Sequence, residues 1–305
     1  MTKKVSFIVP CRDKAPFVAD TVHTVLRQTY SPMEIVLSDQ GSVDDTLDII
    51  KSMAYKYDGP NTVRVLECPK TENRGMVGLN DHLNWIHTQI DSDIVIMCSA
   101  DDLNHPERVA WTVKAFEEHN PSYVGTCVQY LQPDFKDNPD SEVQITAYGN
   151  EDRFVDPIDN VEKLVGSSAS SAWARDLWDK YAPLYGIESQ DVLLPFFATI
   201  ERGLYYVAKP LHAYIRRADK NNTGLEGVLR AAETPDEKAG YTELVNFHCT
   251  SNWFAIMRRL AFSQTPIDNR LQEAIFNKAI EYTNIWCISR DNMIINRVQP
   301  KAMRV

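Results

Sequence analysis

The chain has 305 residues, 44% of them apolar and 24% charged, with a formal net charge of -10 at neutral pH. That length can bury the core of one enlarged α/β domain with appended helices, and the composition excludes a disordered or repetitive chain. The acidic balance disfavours general binding to nucleic acid or to a membrane surface. No apolar stretch approaches the roughly 20 residues that span a bilayer, and the segment before Pro10 is too short for a secretion signal, so a cytoplasmic location is expected. Cys11, Cys68, Cys98, Cys127, Cys249 and Cys287 show no metal-ligand spacing and are expected to stay unpaired.

In chain order, Val5 to Val9 reads as a buried strand, and Phe17, Val18, Val22, Val25 and Leu26 then share one helical face behind Pro16. Glu34 to Ser38 reads as a second strand. After Asp39-Gln40-Gly41-Ser42, the pair Ser42 and Asp45 resembles a capping box for a helix with the stripe Leu47, Ile50, Ala54 and Tyr57. Val63 to Leu66 is the third strand. Asn73-Arg74-Gly75 opens a loop before a helix carrying Leu83 and Ile86, and Ile94 to Cys98 gives the fourth strand. This alternation predicts a mostly parallel, doubly wound sheet with helices on both faces. Val109, Val113 and Phe116 mark the next helix, Tyr123 to Val128 a further strand, and Pro133 to Pro139 an irregular connection. Past residue 160 come the small-residue segment Gly166 to Ser171, a helix, and two short strands, Leu204 to Val207 and Ala213 to Arg216, placed at the sheet edge. Beyond Gly224 the pattern is helical, with apolar faces supplied by Leu244, Val245, Trp253, Phe254, Ile256, Met257 and Leu260, then by Leu271, Ile275, Ile280, Ile285 and Trp286.

The most informative feature is the pair Asp101-Asp102 directly behind the fourth strand, since a strand end is where an α/β sheet presents ligand-binding groups. On extended backbone the two carboxylates point to opposite sides. One can meet a sugar hydroxyl while the other meets a divalent cation and its phosphates. No GxGxxG follows a strand, no GxxxxGK[ST] occurs, and Gly166-Ser167-Ser168 lacks the flanks of a nucleophile elbow, which weakens dehydrogenase, P-loop and hydrolase readings. His23, His82, His87, His105, His119 and His248 form no ligand spacing and are read as structural or surface residues.

Taken in order, several segments resemble the inverting family 2 glycosyltransferases, whose nucleotide-sugar-binding domain has the A-type (GT-A) α/β fold. They are Val5-Ser6-Phe7-Ile8-Val9-Pro10, Gln28-Thr29-Tyr30 before Glu34-Ile35-Val36, Asp39-Gln40-Gly41-Ser42-Val43-Asp44-Asp45-Thr46, Asn73-Arg74-Gly75 through Asn80, and Ser99-Ala100-Asp101-Asp102. Ala172-Trp173, Asp191-Val192-Leu193-Leu194-Pro195, Gly203, Pro210-Leu211 and Tyr214 are similar to the acceptor half of bacterial members. The resemblance implies a GT-A-like domain over residues 1–224, with a nucleotide-binding half over 1–130 and an acceptor half over 131–224, followed by a helical region over 225–305. It also implies transfer of a sugar from a nucleotide diphosphate, UDP by family inference, to a hydroxyl acceptor with inversion. In that scheme Pro10, Cys11 and Arg12 touch the nucleotide, Asp39 accepts from a uracil N–H, and Arg74 neutralises phosphate or stacks on the base. Asn80 joins the donor site, Asp101 holds the ribose, and Asp102 binds Mg or Mn. Asp191 is the general base, at the start of a markedly apolar helical segment. The implied acceptor is a cell-surface or lipid-linked glycan.

The sequence departs from the family pattern at Ser99, Gln40 and Gln190, where acidic residues are usual, and at Arg217, close to where a His often stands. Arg217 or Arg216 then supplies fixed charge to the diphosphate. These departures leave open a catalytically weak nucleotide-binding relative that serves as an assembly or sensor module. A nucleotidyltransferase would require a glycine-rich loop after the first strand, and Pro10-Cys11-Arg12-Asp13-Lys14 is not one. Nucleic acid is disfavoured as a partner, but a basic groove beside Asp191 would admit a hydroxylated DNA base as acceptor.

Overall fold

The computed structural model describes residues 3–72, 75–131, 143–145, 148–163, 170–186, 188–215, 235–263 and 266–298. The chain divides into two units, Met1–Arg216 and Arg217–Val305. In the first, β1 (Val5–Cys11), α1 (Ala15–Leu26), β2 (Glu34–Asp39), α2 (Thr46–Tyr55), β3 (Thr62–Glu67), α3 (Gly75–Gln89) and β4 (Ile94–Met97) alternate. The four strands pair in parallel in the order β3-β2-β1-β4, the result of returning each strand through a helix. Phe7, Val9, Ile35, Leu37 and Ile96 pack with Val18, Val22 and Val25 of α1 and Ile50 of α2. Ile8, Val36 and Val95, which alternate with them, are fully buried too. Burial on both faces explains why these strands read as continuous apolar runs.

The rest of this unit comprises β5 (Leu103–Asn104), α4 (Arg108–His119), β6 (Tyr123–Leu131), β7 (Val143–Ile145), β8 (Arg153–Phe154), α5 (Pro157–Lys163), β9 (Ser171–Ala174), α6 (Arg175–Tyr181), α7 (Gln190–Ile200) and β10 (Leu204–Ile215). The sheet continues β4-β9-β6-β10-β5 and becomes mixed, because β9 runs antiparallel to both β4 and β6 while β10 is parallel to β6. A parallel nucleotide-type half is thereby joined edge to edge to a mixed half, with the carboxyl ends of β1, β2 and β4 at the same edge.

Several expectations are corrected. The two short strands are one strand, β10, whose ladder shifts register between Val207 and Pro210 and again between Pro210 and His212. Proline lacks the N–H the ladder needs, so the pattern breaks there without ending the strand. Nor does β10 form the edge: β6 lies on one side, with β5 and β8 on the other. The strand β9 was not anticipated. Its four residues Ser171–Ala174 are all buried, too few to show a period. Ser42 and Asp45 form no capping box. Helix α2 begins at Thr46, whose N–H donates to the carboxylate of Asp44 at 3.1 Å, while Ser42 bonds to Asp39 instead. The segment Pro133 to Pro139 lies outside the described residues.

In the second unit α8 (Pro235–Ser263) packs against α9 (Asn269–Val298). Trp253, Ile256, Leu271 and Ile275 are buried as the helical spacing predicts. Phe254, Ile280 and Ile285 are not; they stand 52%, 44% and 37% exposed. No helix among the described residues is long and apolar enough to cross a membrane. Cys11, Cys68, Cys98, Cys127 and Cys249 form no disulfide.

One core feature predicts a pH dependence. His87 of α3 stacks on Trp178 with ring centroids 3.7 Å apart, and neither ring nitrogen has a hydrogen-bond partner. Burial holds His87 well below its ordinary value of 6.5, and pushes His82 down to about 3. Both are neutral in the folded protein, while the unfolded chain takes up their protons as pH falls below 6.5. The folded state therefore loses stability from 6.5 downward, by up to about 1.4 kcal/mol per pH unit for each histidine. The variant His87→Phe removes one share, so its stability falls less between pH 7 and pH 5 than that of the wild type. Urea unfolding at the two pH values reads this directly; equal losses in both proteins would contradict it.

Candidate active site

Of the residues singled out by the sequence, Pro10, Cys11, Asp39, Asp101 and Asp102 lie at the carboxyl edge of the parallel half. β1 ends in Pro10 and Cys11, and Cys11 is in register with Asp39 at the end of β2. The Cys11 thiol is buried, and burial, aided by the nearby charge of Asp39, raises its pKa well above the usual range. It remains a thiol at neutral pH and contributes packing rather than nucleophilicity. The loops after β1 and β2 are laced together. Lys14 N–H donates to Thr46 Oγ1 at 2.7 Å, Ala15 N–H to Asp44 at 3.0 Å, Asp13 N–H to Ser42 Oγ at 2.9 Å, and Val43 N–H to Asp13 at 2.8 Å. Asp39 is 2% exposed and accepts from Ser42 through both oxygens, its N–H at 3.0 Å and its hydroxyl more closely. Each carboxylate oxygen has a second lone pair, so this fixes the carboxylate without exhausting it.

Gly41 stands between these loops at φ +65, and a Cβ there would lie 2.9 Å from the Lys70 side chain. Only glycine suits both the backbone and that approach. Beside it, Gln40 accepts from Arg12 at 3.4 Å and donates to Gly78 O at 2.9 Å. A carboxylate could not make the second bond, which accounts for an amide at this departure from the family pattern. Arg12 is further held by Thr71 O at 2.9 Å.

Asp101 and Asp102 lie in a turn rather than on extended backbone: Asp102 N–H donates to Ser99 O at 3.3 Å. Their side chains nonetheless enter different surroundings. Asp101 pairs with Lys14 at 2.6 Å, in a contact where the two side chains are 20% and 12% exposed. Asp102 is 1% exposed. Behind it lies Arg108, fully buried, which donates to Met97 O at 2.7 Å, to Ser171 O at 3.4 Å and to Asn104 Oδ1. Burial lowers the Arg108 pKa to about 10, against the opposing fields of Cys98 and Asp102, so it stays a cation at neutral pH. Gln28 fastens the far side of this turn, donating to His105 O at 2.8 Å and accepting from Val109 N–H at 3.0 Å.

Asp191 occupies the first turn of α7. Its charge acts on Tyr123, whose hydroxyl donates to Ser171 Oγ at 2.5 Å and whose pKa is raised chiefly by burial. Tyr123 of β6 and Arg108 of α4 are thus both joined to Ser171 of β9. The segment leading to α7 is clamped by α3: Asn80 donates to Gly186 O and Glu188 O at 3.0 and 2.7 Å, while Asn84 exchanges two bonds with Leu184 at 2.8 and 3.0 Å. Asn80 therefore positions the stretch before Asp191. Arg74, Arg216 and Arg217 lie outside the described residues.

Lys14, Asn84 and Arg108 were not foreseen. For Arg108 a signal existed, since it shares i, i+4 spacing with the buried Thr112 and Phe116 and so belongs to the inner face of α4. Lys14 and Asn84 become legible only when distant loops are brought together.

The chain matches the glycosyl transferase family 2 profile over residues 6–170, more than half its length. It belongs to that family. The undecaprenyl-phosphate 4-deoxy-4-formamido-L-arabinose transferase of Serratia proteamaculans (strain 568) is 31% identical over 124 residues, covering 38% of this chain and 34% of that protein. The matched part spans between 32% and 42% of the length of the curated relatives. Among solved structures, S. aureus TarS in complex with UDP-GlcNAc superposes with a TM-score of 0.58 at 15% identity, covering 92% of this chain and 80% of that one. The mannosyltransferase PcManGT from Pyrobaculum calidifontis, in complex with GDP-Man and Mn2+, gives 0.52 at 14% identity over 95% and 85%. Both likenesses concern the fold, which is GT-A.

Proposed function

We propose that this chain transfers a sugar from a nucleotide diphosphate, most simply a UDP-sugar, to a hydroxyl acceptor with inversion at the anomeric carbon. The observation that carries this is the set of carboxylates Asp39, Asp101 and Asp102 at one sheet edge, with Asp191 in the first turn of α7, whose preceding segment Asn80 holds against α3. Family membership and the UDP-GlcNAc and GDP-Man complexes of its structural relatives support the donor class.

Pro10, Cys11 and Arg12 border the base, and Asp39 accepts its N–H while Ser42 holds the carboxylate in place. Asp101, pinned by Lys14, takes the ribose hydroxyls. Arg74 and Arg217 are assigned to the diphosphate from the sequence alone. Asp191 removes the proton of the acceptor hydroxyl as that oxygen attacks the anomeric carbon from the side opposite the diphosphate, which departs. Asn80 and Asn84 hold the segment before Asp191 against α3.

Asp102 is assigned to a divalent cation from the sequence alone. Among the described residues no cluster of three or more His, Cys, Asp or Glu side chains forms a protein cage, and Mg or Mn held by one or two carboxylates plus substrate phosphates needs none. When bound, such an ion supplies charge neutralisation at the departing diphosphate. The test is proton NMR of the product formed from α-linked UDP-sugars with a panel of methyl glycosides. A β-linked product is expected; an α-linked product would overturn the inverting assignment.

A further inference from the structure

The start of α3 is gripped from two sides that lie far apart in sequence. On the donor side Gln40, which follows Asp39 at the end of β2, donates to Gly78 O at 2.9 Å in a buried contact. Two residues along the helix, Asn80 is 1% exposed and donates to Gly186 O at 3.0 Å and to Glu188 O at 2.7 Å. Both partners are carbonyl oxygens, so the NH2 of the amide must face them, and a carboxylate of the same shape could make neither bond. One turn further on, Asn84 exchanges its two bonds with Leu184.

The stretch that Asn80 holds is itself tied into a turn, since Tyr185 N–H donates to the Glu188 carboxylate at 2.8 Å and Glu188 N–H to Tyr185 O at 3.1 Å. The carbonyl of Ser189 then accepts from Val192 N–H at 3.1 Å and Leu193 N–H at 2.9 Å, so α7 starts there with Asp191 in its first turn. Only Ser189 and Gln190 separate the clamped Glu188 from Asp191, and they are 3% and 1% exposed. A shift of the clamp therefore passes straight to the carboxylate. We propose that Asn80 is a positioning residue for the general base: its amide fixes Asp191 relative to the start of α3, which Gln40 in turn fixes to the nucleotide-binding edge. The proposal rests on the reading of Asp191 as the base, and it makes Asn80 serve the acceptor proton rather than the nucleotide. A base acts only within hydrogen-bond reach of the hydroxyl it deprotonates, and a displacement of about 1 Å can cost about a hundredfold in rate.

The experiment is a double-mutant cycle on the full chain. Turnover is measured with whichever pair of UDP-sugar and methyl glycoside the wild type uses fastest, and each preparation is titrated with UDP to report a folded donor site. Asn80→Asp, which keeps the shape and loses the donor, lowers turnover about a hundredfold with UDP affinity within about twofold of wild type. Asn80→Ser, which keeps one donor, falls between the two. In the Asp191→Asn background, Asn80→Asp costs less than about threefold more, because no base is left to misplace, whereas a residue with a merely structural role would cost the same in either background. Full multiplication of the two losses, turnover close to wild type in both Asn80 variants, or UDP affinity lost in both would overturn the inference, while a large loss in Asp191→Asn by itself would leave the base standing. Wild-type turnover in Asp191→Asn, or no transfer by the wild type with any pair, would overturn the reading of the base and this inference with it.

Discussion

Replacing Asp191 by Asn lowers sugar transfer by about a thousandfold while leaving UDP affinity within about twofold of wild type. The change preserves shape and removes only the capacity to take up a proton. In an inverting displacement the acceptor oxygen must shed its proton as it bonds to carbon, and Asp191 is the one carboxylate that the first turn of α7 offers to receive it. Asn80 and Asn84 dock the preceding segment independently of residue 191, so the helix start stays where it is. Turnover with saturating donor, compared with UDP titration of the same preparation, checks this. A loss of under about tenfold would move the base elsewhere.

Arg108→Met destabilises the protein by about 3–5 kcal/mol, far beyond the typical surface substitution. The methionine fills much of the space but leaves Met97 O and Asn104 Oδ1 without their donor, and it removes a buried cation from the neighbourhood of the buried Asp102. Arg108→Lys restores the charge with fewer donors and recovers about half of the loss. Urea unfolding midpoints of the three proteins decide the matter. A methionine variant within about 1 kcal/mol of wild type would show that Asp102 does not depend on this cation.

How far this could be read in advance differs by element. Strands β1, β2 and β4 and helix α1 were legible because both faces of the sheet are buried, and a short, unbroken β-branched run fits a strand covered on both sides better than it fits a helix. Asp39, Asp101, Asp102 and Asp191 were legible as positions, since strand ends and a helix start are marked by neighbouring residues. Their partners were not. Lys14 meets Asp101 across 87 positions of sequence, and Ser171 meets Arg108 across 63. β9 escaped because a four-residue run takes its state from its neighbours, and β10 read as two strands because Pro210 interrupts its pattern without breaking its course. Sequence spacing reports local structure and burial; the pairings that hold a site together come from topology.

The most direct measurement is calorimetric titration of UDP, GDP and dTDP into the purified protein, with and without Mn, for wild type and Asp102→Ala. The account predicts selective binding of one nucleotide, UDP on the present assignment, strengthened by Mn in the wild type and deprived of that strengthening in the variant. Binding that is indifferent to both Mn and Asp102 would contradict the metal-assisted donor site. No binding of any nucleotide would contradict the transferase itself and leave the sheet as an inherited scaffold.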